Sequence, residues 1–511
     1  MKRGRVILVG AGPGAPDLVT LRGAEALRHA DAVVYDALAP DALLALAPPD
    51  AQRIDVGKRG HDAPTLPQEE ITGLLLRLAA EGKTVVRLKG GDSYVFGRGG
   101  EEASACARAG IPFEVVPGVS SIFGALAYAG IPLSDRRHGA SFAVATGHKD
   151  PGKPAQETRW DLLAHATDTL VVLMGMRNLG EIAERLIASG RGPATPAAVI
   201  SDGTLPTQRV VEAPLGEIAE RARAAGLGAP ALLVVGDVVR LRSELAWFER
   251  QPLFGRRVLV TRSDEQAGDL AQALASEGAL PVVVPMIALL PPEDPGPLDA
   301  ALERIARYDA VVFTSSNAVR FMAARARQRG IDLALADRTA FCVGPATGDA
   351  ARAAGFAAQA LPARRGDAEA LLELLRGFAP QGRRFLLPRS ALASDALREG
   401  LRRAGAEVDS PIAYRTLPAE VDSDALRADL RAGSFTALTF ASPSAVRHFA
   451  ALLDAPALAA ARRAAVAAIG PVTARALAQV GLPPDVIAAE ASPRALVQAL
   501  AEHVAAGNQD R

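Results

Sequence analysis

Lysine is scarce: the 511-residue chain has six, and Lys153 is the last of them, which excludes a Schiff-base amine from the C-terminal half. Cysteine is scarcer. Cys106 and Cys342 fit no paired or metal-like spacing, so neither a disulfide framework nor a zinc site is expected, and the compartment reads as reducing. Beyond residue 256 the only histidines are His448 and His503, too few for a metal cluster or a Cys-His nucleophile. The formal net charge is zero, where a bulk nucleic-acid binder would be basic. Long apolar runs are missing too: in the opening MKRGRVILVGAGPG, glycine and proline interrupt the hydrophobic stretch too early for a signal or a membrane span. The expectation is a cytoplasmic protein with no metal, no nucleic-acid partner and no membrane partner.

What is present is ordinary globular composition, 49% hydrophobic and 22% charged, over a length that calls for two or more separately cored units. Short Val/Ile/Leu runs (VILVG, AVVYD, TVVRLKG, LVVLMG, ALLVVGDVV) alternate with longer Ala/Leu/Arg/Glu stretches, which predicts βα units, a largely parallel sheet and the α/β class. Around WFERQPLFGRR the periodicity lapses before a fresh strand, RVLVTR. The expected division is 1–248, a linker at 249–255, and 256–511.

The second part repeats itself. RRVLVTR at 256 matches RRFLLPR at 383, LAQALASEGA at 270 matches LREGLRRAGA at 397, and VVFTSSNAVR at 311 matches LTFASPSAVR at 438, all 127 residues apart; CVGPATGDAARAAG at 342 matches AIGPVTARALAQVG at 468, 126 apart. Four blocks in one order predict two copies of one βα design, forming two similar lobes with a cleft between them.

In the first part, VILVGAGPGAP is a strand entering a glycine-rich turn without the G-x-G-x-x-G spacing of dinucleotide binders. VVRLKGGDSYVFGRGGEE sets Arg87, Lys89, Asp92, Arg98, Glu101 and Glu102 among glycines, a mixture that suits a zwitterionic small molecule or a set of local ion pairs. Together with ADAVVYDAL, VGKRG, VVPGVSS, AGIPLS, TGH, LMGM and SDGTLPTQ, in that family's order, these segments resemble uroporphyrinogen-III C-methyltransferase over residues 4–248. The resemblance implies a two-subdomain tetrapyrrole methylase fold with S-adenosylmethionine in its cleft. It places cofactor contacts at Pro13, Gly90, Gly91, Asp92, Val95, Ser120, Ser121, Met174 and Gly203, a proton acceptor at Asp36 and a proton donor at Lys58. On residue type alone, Asp36 after AVVYD reads equally as an Asx turn or helix cap. Ser93 stands where the family has proline, and Ser120-Ser121-Ile122 and Ser134-Asp135-Arg136 also depart from its pattern, the last losing an imidazole on the substrate side.

In the second part, LVTR, FTSSNAV, VGPAT, PIAYRT, FASPSAV and IGPVTARAL resemble uroporphyrinogen-III synthase over residues 256–505. The small hydroxyl residues follow apolar strands, where a ligand crevice forms in α/β sheets and where Ser and Thr also cap helices. The resemblance implies two doubly wound α/β lobes, roughly 256–288 plus 417–511 and 289–416, each built from the front of one repeat and the back of the other. Tyr414 would assist departure of the substrate hydroxyl, with Thr473, Ser315 and Thr347 on the substrate side. The implied activity is bifunctional: hydroxymethylbilane is cyclised to uroporphyrinogen III, which then takes two methyl groups from S-adenosylmethionine to give precorrin-2. A non-catalytic tetrapyrrole-binding second half is the alternative. The expected partners are small-molecule tetrapyrroles and a second copy of the chain, joined through the methylase part.

Overall fold

The computed structural model describes residues 4–57, 66–147, 158–334, 338–362 and 368–509. It divides into two compact units, Met1–Arg256 with Ala275–Leu280, and Arg257–Leu274 with Pro281–Arg511. No helix among the described residues is long and apolar enough to cross a membrane.

The first unit holds two sheets. Strands β1 (Arg5–Gly10), β2 (Ala32–Tyr35), β3 (Gln52–Asp55), β4 (Thr84–Lys89) and β5 (Phe113–Val116) form a parallel sheet in the order β3-β2-β4-β1-β5. The chain crosses from β1 to β2 and leaves a gap that β4 later fills. Every side chain of β4 is buried, as expected of a central strand covered on both faces.

The second sheet is mixed, where the apolar runs alone predicted parallel strands. Its strands β6 (Phe142–Thr146), β7 (Thr169–Leu173), β8 (Pro196–Ser201), β9 (Arg209–Pro214) and β10 (Ala231–Val235) run in the order β6-β7-β10-β8-β9, and β10 is antiparallel to both neighbours. A strand buried on both faces carries the same continuous apolar run whichever way it points, so VILVG and ALLVV look alike in sequence. Residues 249–255 remain packed: Leu253 is fully buried, and Phe248 sits between the rings of Tyr128 (4.8 Å) and Phe254 (5.2 Å).

In the second unit the repeat becomes a strand exchange. The first copy supplies β11 (Arg257–Val260), β12 (Leu280–Val283), β13 (Ile287–Leu290), β14 (Ala310–Phe313), β15 (Thr339–Cys342) and β16 (Ala357–Ala360). The second supplies β17 (Arg384–Leu386), β18 (Arg389–Ser390), β19 (Glu407–Asp409), β20 (Ile412–Pro418), β21 (Ala437–Phe440), β22 (Ala465–Ala468) and β23 (Val486–Ile487). One five-stranded sheet is β12-β11-β21-β22-β23 and the other β16-β15-β14-β17-β19. Each therefore joins the front of one copy to the back of the other. Two buried threonines fasten one such junction: Thr261 Oγ1 donates to the Thr439 carbonyl at 2.8 Å, and Thr439 Oγ1 to the Leu259 carbonyl at 2.7 Å. The chain crosses between lobes along β13 and returns along β20, and these two strands pair antiparallel.

Candidate active sites

In the first unit the site lies beyond the C-terminal ends of the parallel strands, where an open α/β sheet leaves its ligand crevice. Three loops meet there backbone to backbone. A Cβ on Gly118 would lie 2.3 Å from the Gly91 carbonyl oxygen and 2.6 Å from Gly10 Cα, and one on Gly10 would lie 2.6 Å from Gly118 Cα. Gly91 has φ +65°, and it exchanges hydrogen bonds with Gly12 at 2.7 and 3.2 Å. Only glycine permits this approach.

The second sheet closes on the same loops. Thr204 Oγ1 accepts the Ala15 N–H at 2.9 Å, and Gly203 packs where a Cβ would meet Ala125 Cβ at 2.3 Å. The helix Ser121–Tyr128 lies between, with Gly124 against Pro13 and with Gly91 facing Ser120 and Ser121. Pro13, Gly91, Ser120, Ser121 and Gly203 are thus brought to one place, and Gly90 packs on Leu38, two residues beyond Asp36. Val95 is partly buried in the loop after β4, and Met174, half exposed, follows β7. Asp92 acts as a staple: its carboxylate accepts the Tyr94 N–H at 2.8 Å and the Gly118 N–H at 2.9 Å, tying the loop after β4 to the loop after β5. Lys58 lies outside the described residues.

Backbone strain collects at these loops. Six described non-glycine residues have positive φ, and five of them (Phe96, Arg98, Met174, Asp202 and Thr204) sit in the segments following β4, β7 and β8. Such conformations cost about 1–3 kcal/mol each and persist where the surroundings hold them.

The charges of the glycine-rich segment do not form a ligand-facing rim. Arg98 and Glu101 pair with each other at 2.7 Å on the surface, while Arg87, Lys89 and Glu102 turn inward. Glu102, wholly buried, accepts from Arg87 Nε at 3.1 Å, Lys89 Nζ at 3.2 Å and Gln68 Nε2 at 3.0 Å through one oxygen, Oε1. Arg87 also donates to Asp36 Oδ1 at 2.6 Å, and Lys89 Nζ lies 3.8 Å from Asp36 Oδ2. The Asp36 side chain therefore binds an arginine rather than capping a turn, and at 29% exposed it is the most accessible of the network's four charged groups. Burial and the neighbouring Arg87 push the Lys89 ammonium below its ordinary pKa, against the opposite pull of Glu102 and Asp36. Sequence reading missed the network, although two cations at alternate positions of an otherwise apolar strand signal a paired charge inside the core.

In the second unit, Ser315 follows β14, Thr347 follows β15 and Thr473 follows β22. Ser315 caps the helix Ser316–Gln328 by accepting the Ala318 N–H, and its hydroxyl also meets the Tyr414 hydroxyl at 3.2 Å. Tyr414, buried on β20, stacks on Phe321 with centroids 5.5 Å apart and planes 17° apart. Thr347 and Thr473 are buried in the first turns of the helices Pro345–Ala353 and Pro471–Gln479, at matching positions of the two copies and in different lobes. Arg389 and Arg415 are held internally, by Asp395 and Glu293.

Residues 5–219 match the family model described as Tetrapyrrole (Corrin/Porphyrin) Methylases, and residues 255–498 match Uroporphyrinogen-III synthase HemD. A porphyrin biosynthesis protein HemD from Ruminiclostridium josui is 36% identical over 458 residues, covering 89% of this chain and 90% of that protein. A siroheme synthase from Azotobacter vinelandii is 51% identical over 246 residues, 48% of this chain and 52% of that one; this chain thus spans about half the length of that relative. Among solved structures, a uroporphyrin-III C-methyl transferase from Thermus thermophilus complexed with S-adenyl homocysteine is 43% identical and covers 47% of this chain and all of its own, with a TM-score of 0.41. With one relative aligned across both parts and a separate family model on each, this chain belongs to the family of fused proteins that join a tetrapyrrole methylase to a uroporphyrinogen-III synthase, and is a bifunctional enzyme of tetrapyrrole biosynthesis.

Proposed function

We propose that the second unit cyclises hydroxymethylbilane to uroporphyrinogen III with loss of water, and that the first unit methylates that product twice to give precorrin-2. The observation that carries the reading is one chain holding both a glycine-built crevice with a carboxylate at its edge and a pair of exchanged lobes with hydroxyl residues beyond their strands. Residues 1–248 would form the methylase, 249–255 the join and 256–511 the synthase, in a cytoplasmic enzyme that dimerises through the methylase.

The crevice fits S-adenosylmethionine. Gly10 and Gly118 let the three loops close on one another backbone to backbone, Gly91 leaves open space beside Ser120 and Ser121, and the N-terminus of the helix at Ser121 supplies amide donors. When bound, the cofactor supplies an electrophilic methyl group. Pro13, Gly90, Gly91, Asp92, Val95, Ser120, Ser121, Met174 and Gly203 would hold it. Methyl transfer to a fully substituted pyrrole carbon leaves a cation that is discharged by losing a proton from the ring N–H or an adjacent methylene bridge, and Asp36, fixed by Arg87, would accept that proton, with Lys58 as donor.

In the synthase, the substrate has to fold and lose its hydroxyl as water. Tyr414 would assist that departure with its hydroxyl set by Ser315, while Thr473 and Thr347 would meet the substrate from opposite lobes. Tyr414→Phe keeps the stack on Phe321 and removes only the hydroxyl, so cyclisation should slow by about 10-fold to 100-fold with the fold intact. Initial rates of uroporphyrinogen III formation from fresh hydroxymethylbilane would check this, and an unchanged rate would confine Tyr414 to packing.

A further inference from the structure

Arg87 and Lys89 stand two residues apart on β4, so both side chains leave the same face of the strand. The two cations are shared by two carboxylates of different character. Glu102, from the helix Gly99–Arg108, is sealed in the core, and its second oxygen, Oε2, is buried without a hydrogen-bond partner. Asp36 lies at the crevice edge. Among the described residues, the charged groups on Asp36 are Arg87 and Lys89; those on Glu102 are the same two, with neutral Gln68 from the helix Gln68–Ala80 and the Cys106 thiol on its own helix. That thiol is pushed above its ordinary pKa by burial first and by Glu102 second. The four ionisable groups Arg87, Lys89, Asp36 and Glu102 sum to zero charge when all are ionised.

We propose that Glu102 is a positioning residue for methylation: it balances the positive charge that Arg87 and Lys89 turn toward Asp36, so that Asp36 can take up the proton that the methylated ring system loses from its N–H or an adjacent methylene bridge. The proposal rests on the reading of Asp36 as proton acceptor. A carboxylate facing two cations with no counter-charge behind them binds a proton less readily, and one that shares a single cation with a second carboxylate binds it more readily. Removing Glu102's charge and removing Lys89's charge therefore act in opposite directions.

The test uses the full chain with uroporphyrinogen III and saturating S-adenosylmethionine, comparing pH–rate profiles of the parent, Glu102→Gln, Lys89→Met and the double variant. The acid limb should move down by about one pH unit in Glu102→Gln and up by about one in Lys89→Met, and return near the parent position in the double variant. S-adenosylhomocysteine affinity should stay within about twofold in all of them, because no member of the network belongs to the glycine cradle. An acid limb that stays in place in either folded single variant, or that moves the same way in both, overturns the proposal; should Glu102→Gln fail to fold, Lys89→Met alone decides. Asp36→Asn, run alongside, separates the two readings, because an undiminished rate there removes Asp36 from the reaction instead.

Discussion

Asp36→Asn should slow methylation of uroporphyrinogen III by about 100-fold or more while leaving S-adenosylhomocysteine binding intact. The amide keeps the shape of the carboxylate and can still accept the 2.6 Å hydrogen bond from Arg87 Nη2, but it cannot take a proton. The contacts assigned to the cofactor lie on the loops after β1, β4, β5, β7 and β8 and at the start of the helix Ser121–Tyr128, not on the Asp36 carboxylate. The substitution also leaves one excess positive charge against a largely buried network, a cost of about 1–3 kcal/mol in stability. Rates should therefore be measured below the unfolding transition of the variant. Methylation at the parental rate would remove Asp36 from the reaction.

Gly118→Ala is expected to abolish methylation by a different route. The added Cβ would meet only backbone, 2.3 Å from the Gly91 carbonyl oxygen and 2.6 Å from Gly10 Cα, so no flexible side chain can move aside. Either the loop after β5 retreats from the loops after β1 and β4, or all three shift. Overpacking of this kind costs about 1–3 kcal/mol, and it falls on the Gly118 N–H bond to Asp92 that joins two of those loops. S-adenosylhomocysteine affinity should drop by at least about tenfold, the equivalent of ~1.4 kcal/mol. Cyclisation of hydroxymethylbilane should be unchanged, since the second unit has hydrophobic cores of its own around Phe313, Phe440 and Phe385. Calorimetric titration with S-adenosylhomocysteine beside a cyclisation assay reads both effects. Equal loss of the two activities would contradict the independence of the units.

How much of this was legible in the sequence depended on whether a signal was local. The duplication was, because paired blocks such as FTSSNAV and FASPSAV carry a strand end, a capping serine and a helix start, and the structure uses both for that: Ser315 caps by accepting the Ala318 N–H and Ser442 by accepting the Ala445 N–H. Strand direction in the second sheet was not local. β10 fills the gap between β7 and β8 in the antiparallel sense, and an apolar run buried on both faces does not encode its direction. The charged glycine-rich segment was legible in part. Its residue types pointed to a site, but reading all its charges as one loop hid the fact that Arg87 and Lys89 belong to the buried strand β4, Arg98 and Glu101 to the surface, and Glu102 to the core. The hydrogen bond between Ser315 and Tyr414, 99 residues apart in sequence, needed the fold to bring β14 and β20 together.

The central claim is that one chain carries two consecutive activities, and an anaerobic assay with freshly made hydroxymethylbilane, with and without S-adenosylmethionine, tests it most directly. Product mass and tetrapyrrole absorbance should show uroporphyrinogen III without the cofactor and a gain of two methyl groups with it. Methylation of supplied uroporphyrinogen III with no turnover of hydroxymethylbilane would contradict the account and leave the second unit a tetrapyrrole-binding module.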